Sequence, residues 1–245
     1  MSAFRCDLHI HSCLSPCADD DMTPYSIAGM AKLNGLSLVA LTDHNTCGNC
    51  RTFFDACNLY NIVPVPGMEL TTAEDIHIIC LLPTLEQADA FETQVRLHRI
   101  LVPNRPEIFG RQLKIGVEDE IIGEEAHLLI NATDLPLAQA AALAQQHGAA
   151  VYPAHIDREG NGILSILGEL PAEPEFAAVE FHDAANVLPY ETRYGLRDKR
   201  KLVSSDAHRL WELSAGEQSI GLDCAEADPD CVRRTLIQKL RGCRV

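Results

Sequence analysis

The sequence predicts an α/β protein, on three observations. Short apolar runs alternate with amphipathic segments over most of the chain, as in a parallel sheet covered by helices. The length, 245 residues, is one at which α/β barrels form a single domain. Histidine and carboxylate motifs recur at or just behind the ends of the apolar runs, where such folds collect their ligands. Residues 1–245 are therefore expected to form one domain, with an irregular excursion at about 101–133.

Taken in order, Phe4–Ile10 reads as the first strand. Thr23, as N-cap before Pro24 at the first helical position, opens a helix that ends at Asn34 before Gly35. Ser37–Thr42 is a strand, Cys50–Tyr60 a helix and Ile62–Val65 a third strand. Ile76–Leu82 is a fourth strand and Leu85–Ile100 a helix. Pro103, Pro106, Gly110, Gly116 and Gly123 then break the pattern into short alternating pieces, which suggests an irregular excursion or a β-ribbon before the helix Leu135–His147. Strand-like runs return at Ala149–Pro153, Ala177–Phe181 and Lys201–Ser204, and Asp230–Arg241 is a final helix.

No apolar run approaches the roughly 18 residues of a membrane span, and no export signal precedes the first strand, so a cytoplasmic protein is expected. Ten cysteines in a reducing compartment are expected to stay free thiols, although Cys47 and Cys50 have a Cys-x-x-Cys spacing that a separate metal would also suit. The net charge of −15 leaves no basic stripe, which disfavours long nucleic acid and favours a small phosphorylated substrate. Arg96, Arg99, Arg105, Arg111 and Lys114 are the basic residues that convergence in space would have to gather to reverse that expectation.

In Asp7-Leu8-His9-Ile10-His11, histidines at i and i+2 on a strand share one face, as a metal-ligand pair does. Partners follow: Thr42-Asp43-His44, Gly67-Met68-Glu69, Asp75-Ile76-His77, Pro153-Ala154-His155 and Ser205-Asp206-Ala207-His208. Imidazoles mixed with hard carboxylates suit zinc, manganese or iron. Nine candidate ligands exceed what one ion takes, so two to three divalent ions are expected.

Those six motifs, in that chain order from residue 7 to residue 208, resemble the polymerase and histidinol phosphatase (PHP) superfamily of metal-dependent phosphoesterases. The resemblance implies a distorted (β/α)7 barrel with a trinuclear site at the C-terminal ends of the strands. It implies that His9, His11, Glu69 and Asp206 hold one metal and that Glu69 bridges to a second held by His77 and His155. His44 and His208 would belong to a third, completed from the segment after His11, for which Asp19 is chosen and Asp20 or Asp21 remain alternatives. Glu69 and Asp206 would then serve catalysis, with Arg158 forking onto a phosphate. Asp43 and Asp7 are candidate acceptors for the second N–H of a ligating imidazole, and His182 is a candidate proton donor.

The reaction so implied is hydrolysis of a small phosphate ester, a nucleotide or metabolite, by a metal-bound hydroxide. A 5′-end-directed exonuclease or nucleic-acid phosphatase, a non-catalytic metal-stabilised module and hydrolysis of a C–N bond are the competing readings. The loops 101–133 and 158–174, where specificity would lie, carry no motif.

Overall fold

The computed structural model describes residues 2–213, 218–224 and 228–242. In chain order the elements are β1 (Ser2–Asp7), α1 (Pro24–Leu33), β2 (Leu38–Leu41), α2 (Cys50–Leu59), β3 (Val63–Thr71) and β4 (His77–Leu81). They continue with α3 (Leu85–Val95), α4 (Pro106–Phe109), β5 (Leu113–Ile115), β6 (Ile121–Glu124), α5 (Leu137–Gln146) and β7 (Ala150–Pro153). The last are α6 (Ile163–Leu167), β8 (Ala178–Phe181), α7 (Val187–Tyr194), β9 (Arg200–Val203), β10 (Ser219–Leu222) and α8 (Pro229–Leu240).

A six-stranded sheet runs β10-β1-β2-β3-β4-β7, and β8 and β9 form a parallel pair beside it. Backbone bonds close the circle at one end: Thr42 N to Ile10 O, Asn45 N to Glu69 O, Ala154 N to His77 O, Ile156 N to Glu180 O, Ser204 N to Phe181 O and His11 N to Ala207 O. The result is the expected distorted α/β barrel, and its distortion has a visible source. The sheet is not all parallel, because β4 is antiparallel to both β3 and β7, and β10 is antiparallel to β1.

The third strand, expected over Ile62–Val65, runs on to Thr71 and changes partner on the way. Up to Pro66 the strand pairs in parallel with β2, and from Gly67 it pairs antiparallel with β4. A side chain at Gly67 would meet Leu81 Cδ2 and Thr42 Cγ2 at 2.9 Å, so only glycine passes this crossing. Because the strand continues, the period of two carries Val63, Val65, Gly67 and Glu69 along one face. Val63 and Val65 pack with Phe4, Leu38, Ile79, Leu81 and Tyr152 in the barrel interior, which Val232, Leu236 and Leu240 of α8 also join. A larger cluster on the outer side of the sheet holds Val39, Leu41, Met68 and Ile78 against helix residues such as Ile27, Phe53, Phe91 and Ala141.

The excursion is the expected β-ribbon, β5 against β6, with α4 before it. The helix expected over Leu85–Ile100 ends at Val95 in a 3-10 turn, Arg96–His98. No helix among the described residues is long and apolar enough to cross a membrane. The nine described cysteines are free, and Cys243 lies outside the described residues.

Candidate metal centre

Glu69 lies at the middle of the closed end, 1% exposed. Its Oε1 stands 2.8 Å from His77 Nδ1, 3.1 Å from His155 Nε2 and 3.4 Å from His9 Nε2. Its Oε2 stands 3.0 Å from His44 Nδ1 and 3.2 Å from His11 Nε2. Five imidazoles thus divide between the two oxygens of one carboxylate. Asp206 Oδ1 lies 3.2 Å from both His9 Nε2 and His11 Nε2, which are themselves 3.1 Å apart. Among the described residues, three groups bring ligand atoms close enough for an ion: His9, His11 and Asp206; His44, Glu69 and His77; His11, His44 and His208.

The partners behind the rings set which nitrogen faces inward. His9 Nδ1 lies 2.8 Å from Glu180 Oε1, so its N–H donates outward and the Nε2 lone pair faces the cluster. His11 Nδ1 lies 3.0 Å from Ser15 Oγ, which itself donates to Asp43 Oδ1 at 2.7 Å, and His11 Nε2 is freed in the same way. His208 Nδ1 donates to Asp206 O at 2.8 Å. Asp43 therefore serves His11 through Ser15, not the adjacent His44, and also accepts from Ser12 N and Ser12 Oγ. Asp7 Oδ1 accepts from the backbone N–H groups of His9 and Ser205, tying two ligand segments together without touching a ring.

His44 Nδ1, His155 Nδ1 and Asp206 Oδ1 are buried and make no hydrogen bond. Buried polar atoms are rarely left so, and convergent lone pairs without protons between them fit cations. The charge balance agrees. Burial disfavours protonation of His9 and His11, yet Glu180, Asp206 and Glu69 overcome it at His9, and the Asp206 and Glu69 carboxylates beside it hold His11 at about 9. Burial prevails at His44 and His208, which fall to about 3 and about 4. Against its burial, the imidazoles of His77, His9 and His44 keep Glu69 well below the carboxylate range. The centre therefore demands positive charge. His155 and Asp206 also hold left-handed backbone, φ 26° and 52°, a strain that functional sites tolerate.

Eight of the nine residues expected to bind metal converge here: His9, His11, His44, Glu69, His77, His155, Asp206 and His208. Asp19 does not join them. Its carboxylate is 3.6 Å from Arg209 Nε and half-exposed, Asp20 lies 3.5 Å from Arg111, and Asp21 is exposed. Cys17, from the same segment, lines both cavities at the centre instead. One, about 250 Å³, adds His44, Glu69, His77, His155, Arg158, Asp206 and His208, and the other, about 490 Å³, adds Arg158, His182, Asp206, His208, Arg209 and Glu212. Arg158 reaches Asp206 Oδ2 at 2.5 Å and lies 3.1 Å from His182 Nε2, so it faces the centre and not Asp157 or Glu159. Cys47 and Cys50 lie apart, buried, with Cys47 Sγ 3.3 Å from Gly67 O. Cys17, which with Cys13 is expected from the sequence to flank the barrel mouth, is found there, and Glu180 is the residue the sequence reading missed. An acid inside the apolar run Ala178-Val-Glu-Phe was the available sign of it.

Residues 7–205 match the PHP domain family, and the chain belongs to it. No curated protein sequence matches the chain. Among solved structures it is similar to the lesion-specific endonuclease EndoQ from Pyrococcus furiosus, with a TM-score of 0.69 and 17% identity over 98% of this chain and 56% of that one. It is similar to an Endonuclease Q complex with a 27-mer duplex carrying an abasic lesion, TM-score 0.62, 19% identity, covering 85% of this chain and 50% of that one. A third likeness is to a protein described as a metal-dependent phosphoesterase from Bifidobacterium adolescentis, TM-score 0.56, 19% identity, over 94% and 95% of the two chains. The chain spans about half the length of the endonuclease chains it matches.

These likenesses overturn the expectation that long nucleic acid is disfavoured, since a protein sharing this fold is solved with a 27-mer duplex at its active site. The net charge of −15 was a poor guide because binding responds to the local field. At the larger cavity Arg158, Arg209 and His182 face the opening.

Proposed function

We propose that the chain hydrolyses phosphate ester bonds, using two to three divalent transition-metal ions (zinc, manganese or iron). The observation that carries this reading is the division of five imidazoles between the two oxygens of Glu69. In it, His9, His11, Glu69 and Asp206 hold one ion, Glu69 with His77 and His155 a second, and His44 with His208 a third. Cys17 replaces Asp19 as the residue offered to that third ion, and a thiolate there would favour zinc.

Ions held in this way make water nucleophilic near neutrality and offset phosphoryl charge. The chain's own groups supply the rest. Glu180, Ser15 and the Asp206 carbonyl fix the imidazoles. Arg158, on the cavity wall beside Asp206, presents a planar fork to a phosphoryl oxygen. His182, in contact with Arg158, is placed to protonate a leaving oxygen. No serine or cysteine nucleophile is needed.

Elemental analysis of the purified protein is expected to give two to three transition-metal ions per chain, with hydrolysis of phosphate esters lost on chelation and regained on adding metal. One ion or fewer per chain in the fully active protein would refute the multinuclear reading.

A further inference from the structure

The chain's single tryptophan, Trp211, is 71% exposed, although it sits in the turn that follows two proposed ligands, Asp206 and His208. Large aromatic side chains are normally buried for most of their area. The turn is pinned, not loose. His208 N donates to Glu212 Oε2 at 3.0 Å and Glu212 N donates to Arg209 O at 2.9 Å, closing the 3-10 turn Leu210–Glu212.

Arg209 covers one face of the indole, with its guanidinium carbon 5.7 Å from the ring centroid. It is itself held by Glu212 Oε1 at 3.0 Å and Asp19 Oδ2 at 3.6 Å, and it lines the cavity of about 490 Å³ together with Asp206, His208 and Arg158. Arg209 thus touches both the cavity that holds the ligands and an aromatic ring open to solvent.

We propose that Trp211, backed by Arg209, is a stacking platform for a nucleobase, so that the ester cleaved at the metal centre belongs to a nucleotide unit. The inference rests on the phosphoesterase reading and narrows it. Every nucleobase offers a π face, and stacking on an aromatic side chain needs no sequence-specific hydrogen bonds. A phosphate linked to that base would meet Arg209 and Arg158, which line the cavity beside the ligands. A sugar phosphate or a small aliphatic ester would leave the indole unused. The unit can come from a free mononucleotide or from a strand, and the chemistry is shared.

The tryptophan being single, its fluorescence reports on this position alone. Metal-loaded full-length protein is titrated with AMP, with ribose 5-phosphate and with a single-stranded (dT)6 oligonucleotide. AMP or (dT)6 is expected to quench the emission saturably and ribose 5-phosphate not to. Tighter binding of (dT)6 that weakens with salt marks a strand as the source, and tighter AMP marks the mononucleotide. In hydrolysis, Trp211→Leu is expected to lower the preference for AMP or (dT)6 over ribose 5-phosphate roughly tenfold, with Trp211→Phe restoring most of it. Equal quenching by ribose 5-phosphate, no quenching by either nucleotide, or an equal loss on all substrates would overturn the platform. Absence of hydrolysis of every ester by the metal-loaded protein would instead overturn the phosphoesterase reading, and the fluorescence comparison would still decide the platform.

Discussion

The floor of the barrel mouth and the excursion beside it are built on opposite terms. On the floor, His9, His11 and Glu69 are at most 1% exposed, and ligand segments are held from behind: Glu180 behind His9 and His155, Asp43 and Ser15 behind His11. In the excursion, Ile108, Val117 and Ile122 are 56%, 66% and 66% exposed. That region is attached by backbone and amide bonds, Leu113 N to Cys13 O and Asn45 Nδ2 to Leu129 O, and by the small apolar cluster of Cys13, Leu113 and Ile115. Positions that must hold reacting geometry are buried and cross-braced, whereas a surface lobe needs only enough contacts to stay in place.

The sharpest way to break this contrast is at its centre. Glu69→Gln keeps the shape of the floor but removes the charge that faces five imidazoles, and hydrolysis is expected to fall roughly a hundredfold or more, with fewer ions per chain. Activity near that of the parent protein in a fully metal-loaded Glu69→Gln variant would remove Glu69 from the proposed role. His98→Ala, at an exposed ion pair with Asp134, is the control expected to do little.

A smaller effect is expected one layer back. Glu180 touches no substrate, but its Oε1 faces His9 Nδ1 at 2.8 Å and accepts from His155 N at 3.2 Å, so it positions residues proposed for two different ions. Glu180→Gln is expected to weaken metal affinity about 10- to 100-fold. Titration of the chelator-stripped protein with zinc reads this directly. Addition of excess metal should restore most of the turnover, which a merely misfolded variant would not show.

How much of this was legible in the chain follows from the same contrast. Ligand residues were readable because histidine and acid at the ends of apolar runs have few other uses, and the floor places eight of them together. Glu180 was passed over because a strand reading absorbs its neighbours Val179 and Phe181, both buried, and leaves one acid unexplained. The third strand reads only as far as Val65, since proline and glycine usually interrupt strands, but here the strand changes partners at that point and Pro66 O accepts from Leu82 N. Asp19 is chosen by its place in the segment after His11, and only the path of the loop turns it toward Arg209 and puts Cys17 on the cavity wall. The strand β10 and the helices α6 and α7 lie in stretches without a sustained period, where pairing with β1 and packing against the barrel decide the structure.

Between floor and lobe lie Cys47 and Cys50, and they belong to the packed interior. Both are buried and face backbone carbonyls, Cys47 Sγ that of Gly67, Cys50 Sγ those of Leu41 and Gly67. The contact with Cys50 and burial push the Cys47 thiol well above its usual range. Cys47→Ser with Cys50→Ser is expected to leave the metal content unchanged and activity within about twofold. Loss of one ion per chain in elemental analysis would establish a separate cysteine site.

The smallest effect is expected on the excursion. Ile122 sits in β6, 66% exposed, so the parent chain gains almost nothing from burying it. Its one notable neighbour is Gly116, where an added side-chain carbon would meet Ile122 Cγ2 at 2.7 Å, and that glycine stays in place in the variant. Ile122→Asp is therefore expected to change stability by no more than about 0.5 kcal/mol, about 1–2 °C in melting temperature for a domain of this size. It adds a charge to an apolar surface that includes Ile121, so solubility should rise if anything changes. Differential scanning calorimetry at several protein concentrations checks this. A drop of many degrees, or a melting temperature that depends on concentration in the parent and not in the variant, would mean that the lobe buries Ile122 against a second molecule and that its exposure in the single chain misrepresents it.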